Sequence, residues 1–355
     1  MKIPEALKKY EFFKMPQVAI ALAFCALVMA AVIIKPLSQN WSGRQDYAFG
    51  YLMPFFALYV LYDRREKIFG YFSSGTSTGA KYGWRDYLVC AFFGAMFFCG
   101  ILTYLMGVFF YAVSSNFGAP TFIATFGFSF SVFAMAFFAS QNSSSGALMP
   151  VKDRINFTGL FMFPAFAWLI SAPVFDIIEN KISLFLLSIV ASIVYNIMDM
   201  LGYVVNLSGN TLSFPNGSVG VADACSGIRS LTACLFAGSF LAAVFLNKLW
   251  KKILMVAFSM VFAFINNVIR AMFLSLWAYS NGPDSISGAV HDAAGYFVMI
   301  MTIICLLLMM PIFQFSAIPP ELRDRDGNEI KPEESPQPAG QESGGDGGGE
   351  ISEQK

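Results

Sequence analysis

Apolar runs of about twenty residues, recurring along almost the whole chain, constrain this protein more than any other feature. VAIALAFCALVMAAVII at 18–34 and YFVMIMTIICLLLMMPIF at 296–313 are two of them. As a helix, a run of that length is roughly 30 Å long, enough to cross a bilayer with every backbone hydrogen bond closed inside the segment. Of the 355 residues 56% are hydrophobic and only 13% are charged, more apolar surface than a soluble core can hide. The reading is an all-α polytopic membrane protein with about eight transmembrane helices, at roughly 17–34, 46–62, 88–113, 120–140, 158–175, 228–246, 252–278 and 292–313.

Charge placement orients these spans. Basic residues gather in KIPEALKKYEFFK, in DRREK at 63–67 with Lys81 and Arg85, in VKDR at 151–154 and in NKLWKK at 247–252. Alternate loops carry them, which puts those loops and both termini in the cytoplasm and the loops 114–119, 176–227 and 279–291 outside. The first span follows a basic stretch but lacks a small-residue cleavage site, and Phe24 departs from a lipobox before Cys25; it is expected to stay as an anchor. From Ile318 onward ten acidic residues face four basic ones, a net of −6, within a Gly-, Pro-, Glu- and Ser-rich stretch. That composition predicts a disordered acidic cytoplasmic tail over 318–355, after an N-terminal five-span region, 1–175, and a C-terminal core, 176–317.

One apolar stretch does not fit the alternation. ISLFLLSIVASIVYNIMDM at 182–200 is long enough to span, but spanning would move NKLWKK outside. Its polar residues Ser183, Ser188, Ser192, Asn196 and Asp199 fall on one helical face. This predicts an amphipathic helix on the outer face; a true span with an inverted C-terminal half is the other reading. After it, Gly209-Asn210 and Asn216-Gly217 between short alternating runs predict a small β-hairpin or three-strand meander, which leads to Cys225.

Six cysteines occur without any CxxC, and five lie inside predicted spans, where a thiol is an ordinary small hydrophobe. No metal site and no cofactor are expected. Cys225, in ACSGIRSL, lies outside the spans at the start of the sixth. A thiol at a helix N-terminus faces unpaired N–H groups and the positive end of the dipole, which favour thiolate; a buried structural thiol is the plainer reading. His291, the only histidine, begins the last span on the same expected side, where an imidazole near a thiol would suit covalent cysteine catalysis. Arg270 sits inside the seventh span, in FINNVIRAMFL, where a charge costs roughly 2.5–3.5 kcal/mol on insertion scales unless it snorkels toward the surface. Asn266 and Asn267, at i−4 and i−3, share its face. Together the three residues form either a polar clamp between helices or a guanidinium poised for an oxyanion. Arg229, one turn after Cys225, either lowers the thiol pKa or anchors the helix at the headgroups. Ser226 is a rival nucleophile, and Asp223, like Asp292, flanks the set and could orient the imidazole.

With ACSGIRSL around Cys225, NNVIR ending at Arg270 and HDAAG at His291, residues 200–310 resemble the exosortase/archaeosortase family in residue type and order, in its bacterial branch. The resemblance implies a cytoplasmic-membrane cysteine peptidase or transpeptidase with its site on the outer, periplasmic face. Its substrates would be exported proteins ending in a short motif of the Pro-Glu-Pro kind, a transmembrane helix and a basic cluster. It implies that Cys225 attacks the peptide carbonyl, Arg270 stabilises the oxyanion, and His291 shuttles the proton. The thioester would pass to water, or to an acceptor amine or lipid in the membrane. The alternative class is a non-enzymatic transporter or a component of polysaccharide export, although no internal repeat of the transporter kind occurs. No basic patch with interleaved aromatics points to nucleic acid.

Overall fold

The computed structural model describes residues 15–73, 81–114, 118–174, 176–220, 227–246, 248–286 and 288–314. The acidic segment expected to be disordered lies outside them. Among the described residues are eleven α-helices and one small sheet. The first half comprises α1 (Gln17–Gly43), a 3-10 helix (Gln45–Leu52), α2 (Met53–Asp63), α3 (Arg65–Ser73), α4 (Trp84–Val113), α5 (Gly118–Ala139), α6 (Val151–Gly159) and α7 (Met162–Ile170). The second half comprises α8 (Asp176–Met200), strands β1 (Asn206–Ser208), β2 (Thr211–Phe214) and β3 (Gly217–Gly220), then α9 (Gly227–Phe245), α10 (Leu249–Asn281), a 3-10 turn (Pro283–Ile286) and α11 (Ala289–Gln314). Among the described residues six helices are long and apolar enough to cross a membrane: α1, α4, α5, α8, α10 and α11.

Two of the spans expected from sequence are not single long helices: 46–62 is built from two shorter pieces, and 158–175 holds the nine-residue α7 after the last two residues of α6. At 46–62 the 3-10 helix runs into α2 without leaving the helical region, since Leu52 has φ −83° and ψ −16°. The pair is about 32 Å long if coaxial. The tight winding accommodates α1: a Cβ on Gly50 would stand 2.1 Å from Trp41 Nε1, so the indole occupies that space. At 158–175 the helix breaks between α6 and α7. Pro164 has no N–H to give the carbonyl four residues back, Leu160. The Arg64 guanidinium donates to that carbonyl instead, and also to Ala243 O at 2.8 Å. The α4–α5 pair packs closely through small residues: a Cβ on Gly107 would meet Ala124 N at 2.2 Å, and one on Gly127 would meet Tyr104 N at 2.2 Å.

Hydrogen bonds between helix ends set the direction of each helix. Trp41 Nε1 donates to Ser171 O at 2.9 Å, so α1 and α7 finish at the same end of the bundle. Arg64, bonded to Leu160 and Ala243, gathers the end of α2, the start of α7 and the end of α9 at the opposite end. Phe236 stacks on Phe49, and Phe240 lies against Phe56 and Tyr59, so α9 runs parallel to the 3-10/α2 unit. Lys251 Nζ donates to Phe313 O at 2.6 Å and joins the start of α10 to the end of α11. The start of α9, the end of α10 and the start of α11 therefore share the end of the bundle where α1 and α7 finish.

Helix α8 has both of its ends there too. Near its start Glu179 pairs with Arg44 and accepts from Tyr47 Oη at 3.4 Å, just past the end of α1. Its later turns bury Val190, Ala191, Val194 and Met198 with Leu212, Phe214 and Val219 of the sheet, Ala278 of α10 and Ile286. Ser188, Ser192, Asn196 and Asp199 are exposed on the other side, and Ser183 is half-buried. Composition alone would let this helix cross a membrane, but its ties hold it along one end of the bundle, as the sequence pattern predicts. It starts six residues earlier than expected.

The sheet is the predicted meander. β2 pairs antiparallel with both neighbours, Ser208 opposite Thr211 and Phe214 opposite Gly217, so the turns fall at Gly209-Asn210 and Pro215-Asn216. Tyr203 and Phe214 both pack edge-on against Tyr279, seating the sheet on the last turn of α10.

Candidate active site

Arg270 belongs to the buried face of α10, with Asn266, Asn267, Leu274 and Ala278. It is 7% exposed. Its Nη2 lies 2.9 Å from His291 Nε2 and 3.5 Å from the His291 carbonyl oxygen. Four residues below, Asn266 Nδ2 donates to Thr302 Oγ1 at 2.7 Å. These two ties show which way the arginine points. From Thr302 up to His291 α11 rises about 16 Å, whereas α10 rises only about 6 Å from Asn266 to Arg270. The Arg270 and His291 side chains span the difference, so the guanidinium is carried from within the span toward the end of the bundle. Gly295, one turn into α11 from His291, leaves room for it: a Cβ there would be 3.6 Å from Nη2.

The pair defines the state of the imidazole. A guanidinium has only donors, so Nε2 must accept through its lone pair. His291 is then neutral, with its proton on Nδ1, which faces Asp292 Oδ1 at 3.4 Å. A neutral imidazole beside a fixed cation and next to a carboxylate combines a base with a hydrogen-bond donor for developing negative charge, the two groups that acyl transfer to a nucleophile needs. The side chains are 28% exposed for His291 and 70% for Asp292, so the base is reachable from the end of the bundle.

The structure thus brings Arg270 and His291 together and turns Asn266 away from them, into a tie with Thr302. Asn267 is buried next to Asn266 on α10. Arg229 is the third residue of α9, at the same end of the bundle as His291. Cys225, Ser226 and Asp223 lie outside the described residues; Cys225 precedes α9 by two positions in the sequence. Sequence reasoning passed over Thr302 and Gly295. The available signal was a single polar residue in an apolar helix, level with an asparagine on the helix before it. Among the described residues no three His, Cys, Asp or Glu side chains group as metal ligands, and Cys25, Cys90, Cys99, Cys234 and Cys305 are free thiols.

A bundle of apolar helices with a buried arginine bound to the only histidine, where three consecutive helices meet at one end, defines an integral membrane protein with a polar site at that end. Residues 41–309 match the family model of the transmembrane exosortases (Exosortase_EpsH), and the chain belongs to that family. Its members are in general membrane protein-sorting transpeptidases of the cysteine type, acting on proteins that carry sorting signals. The match starts at Trp41, so it takes in the first-half helices from α2 onward and leaves out nearly all of α1. No curated protein and no solved structure matched the chain.

Proposed function

We propose that this exosortase is a bacterial inner-membrane cysteine transpeptidase whose reacting groups are Cys225, Arg270 and His291. The observation that carries the reading is the hydrogen bond from Arg270 to His291 Nε2, which keeps the imidazole neutral at the end of the bundle where α9 begins. The substrate is an exported protein held by a C-terminal helix, with its cleavage motif, of the Pro-Glu-Pro kind, just outside the membrane and a basic cluster after the helix. The arriving carbonyl oxygen takes the guanidinium's hydrogen bonds and frees Nε2 to receive the Cys225 thiol proton. The sulfur attacks the carbonyl carbon, and Arg270 holds the oxyanion. As the C–N bond breaks, His291 gives its proton to the leaving amine of the helix-bearing fragment, and a thioester remains. Water or an acceptor amine, a lipid headgroup included, then attacks the thioester. His291 takes the nucleophile's proton and returns it to the sulfur.

Charge supports the proposed orientation: Arg64, Arg65, Lys67, Lys81, Arg85, Lys152, Arg154, Lys248, Lys251 and Lys252 belong to the end of the bundle opposite the site, a distribution that favours, by the positive-inside rule, a cytoplasmic position for that end and a periplasmic one for the site. The test is intact-mass analysis after quenching the purified enzyme with a synthetic signal-bearing substrate. The reading expects an acyl adduct that hydroxylamine removes and that Cys225→Ala never forms. A wild-type-like adduct on Cys225→Ala would refute it.

A further inference from the structure

Thr302 is one of few polar groups deep in α11, with 1% of its surface exposed. Its hydroxyl has one proton and two lone pairs. The proton goes to Val298 O at 2.9 Å, which closes the hydroxyl onto its own helix. One lone pair receives Asn266 Nδ2 of α10 at 2.7 Å. A single side chain therefore joins α10 and α11 at mid-depth. These two helices carry Arg270 and His291: Asn266 is four positions before Arg270, and Thr302 is eleven after His291.

We infer that Thr302 is a positioning residue: its hydroxyl sets the register of α10 against α11 and so the height at which Arg270 meets His291. In lipid, apolar faces slide past one another without a hydrophobic penalty, since tails are as apolar as leucine, and polar ties and close packing fix the register. A slip of one residue displaces one helix by about 1.5 Å along its axis, which is enough to break a 2.9 Å hydrogen bond between the ends. The significance for catalysis rests on the reading of Cys225, Arg270 and His291 as the reacting set; the register itself does not.

The test compares Thr302→Val, of equal shape but without the hydroxyl, with Thr302→Ser, which keeps it. Valine suits a membrane helix at least as well as threonine, so insertion is not opposed. Because His291 is the only histidine in the chain, histidine labelled with nitrogen-15, in protein purified through a histidine-free tag, reports this one imidazole and its hydrogen bond to Arg270. Thr302→Val is expected to move or split the His291 resonances and to lower kcat about ten- to a hundredfold with KM little changed. Thr302→Ser should restore both. A wild-type His291 spectrum in Thr302→Val overturns the inference, whatever the activity. A shifted spectrum in Thr302→Val, with a wild-type protein that cleaves no signal-bearing substrate, would uphold the register and overturn the proposed function instead. If Thr302→Val fails to accumulate, Asn266→Ala removes the same tie from the α10 side and must show the same spectral change; an unchanged spectrum there is equally decisive against the inference.

Discussion

Arg270→Lys keeps the positive charge and tests whether charge alone is enough. In the structure one guanidinium nitrogen is 2.9 Å from His291 Nε2 and 3.5 Å from the same residue's carbonyl oxygen, held there by a planar group with several donors in a fixed fork. An ammonium is a compact point charge on a shorter reach, and it cannot hold the imidazole and face an oxyanion with two coplanar donors. The loss should approach that of one oxyanion-hole donor, about 10²–10³ in kcat or about 3–4 kcal/mol of transition-state stabilisation. KM should change little, because the ground-state carbonyl makes the weaker contact. The assay is cleavage of a fluorogenic peptide carrying motif, helix and basic cluster, in detergent, with protein amount and thermal midpoint matched to wild type. Turnover within threefold of wild type would refute the assignment of Arg270 as the oxyanion donor.

Gly295 offers a steric test of the same pair. A Cβ there would meet Arg270 at 3.6–3.8 Å, an ordinary contact; Gly295→Ala should retain most activity, and Gly295→Leu should displace the guanidinium and abolish it, as read by the same peptide assay. Arg64→Met leaves the Leu160 and Ala243 carbonyls without their donor. At about 1.5–3 kcal/mol for each hydrogen bond to a charged group, it should lower the thermal midpoint measurably in detergent. Helix α8 is expected to lie along one membrane face. Cysteines introduced by Lys181→Cys and Asp199→Cys, near its two ends, should both react with an impermeant maleimide from the periplasmic side; labelling from opposite sides would show that it crosses.

Much of this architecture can be read in the sequence, because lipid demands long closed helices and a charge inside one is conspicuous. The runs at 17–34 and 292–313 locate α1 and α11, the Gly-Asn pair locates the first turn of the sheet and the Asn-Gly pair the second to within one residue, since Gly217 already belongs to β3, and Arg270 is noticeable for being charged within an apolar run. The face of exposed serines on α8 follows from spacing alone. What could not be read depends on partners distant in the chain. Nothing near Pro164 says that the carbonyl it leaves open belongs to Arg64, a hundred residues earlier. A threonine in an apolar helix commonly bonds its own backbone, as Thr302 does, and only the packed bundle shows that the same hydroxyl also serves a second helix. Alternating loop charges raise the expectation that Arg270 and His291 share one side of the bundle; their direct hydrogen bond appears only in the folded protein.

The central claim is that a thiol at the start of α9 cuts sorting signals from exported proteins. The most direct measurement is a map of protein C-termini in the membrane and secreted fractions of cells carrying wild type or Cys225→Ala, which presumes no substrate. The account predicts a set of proteins that keep motif, helix and basic tail only in the mutant, all ending at one shared position within the motif in wild type. Identical C-termini in the two strains, with the mutant protein stably inserted, would contradict it.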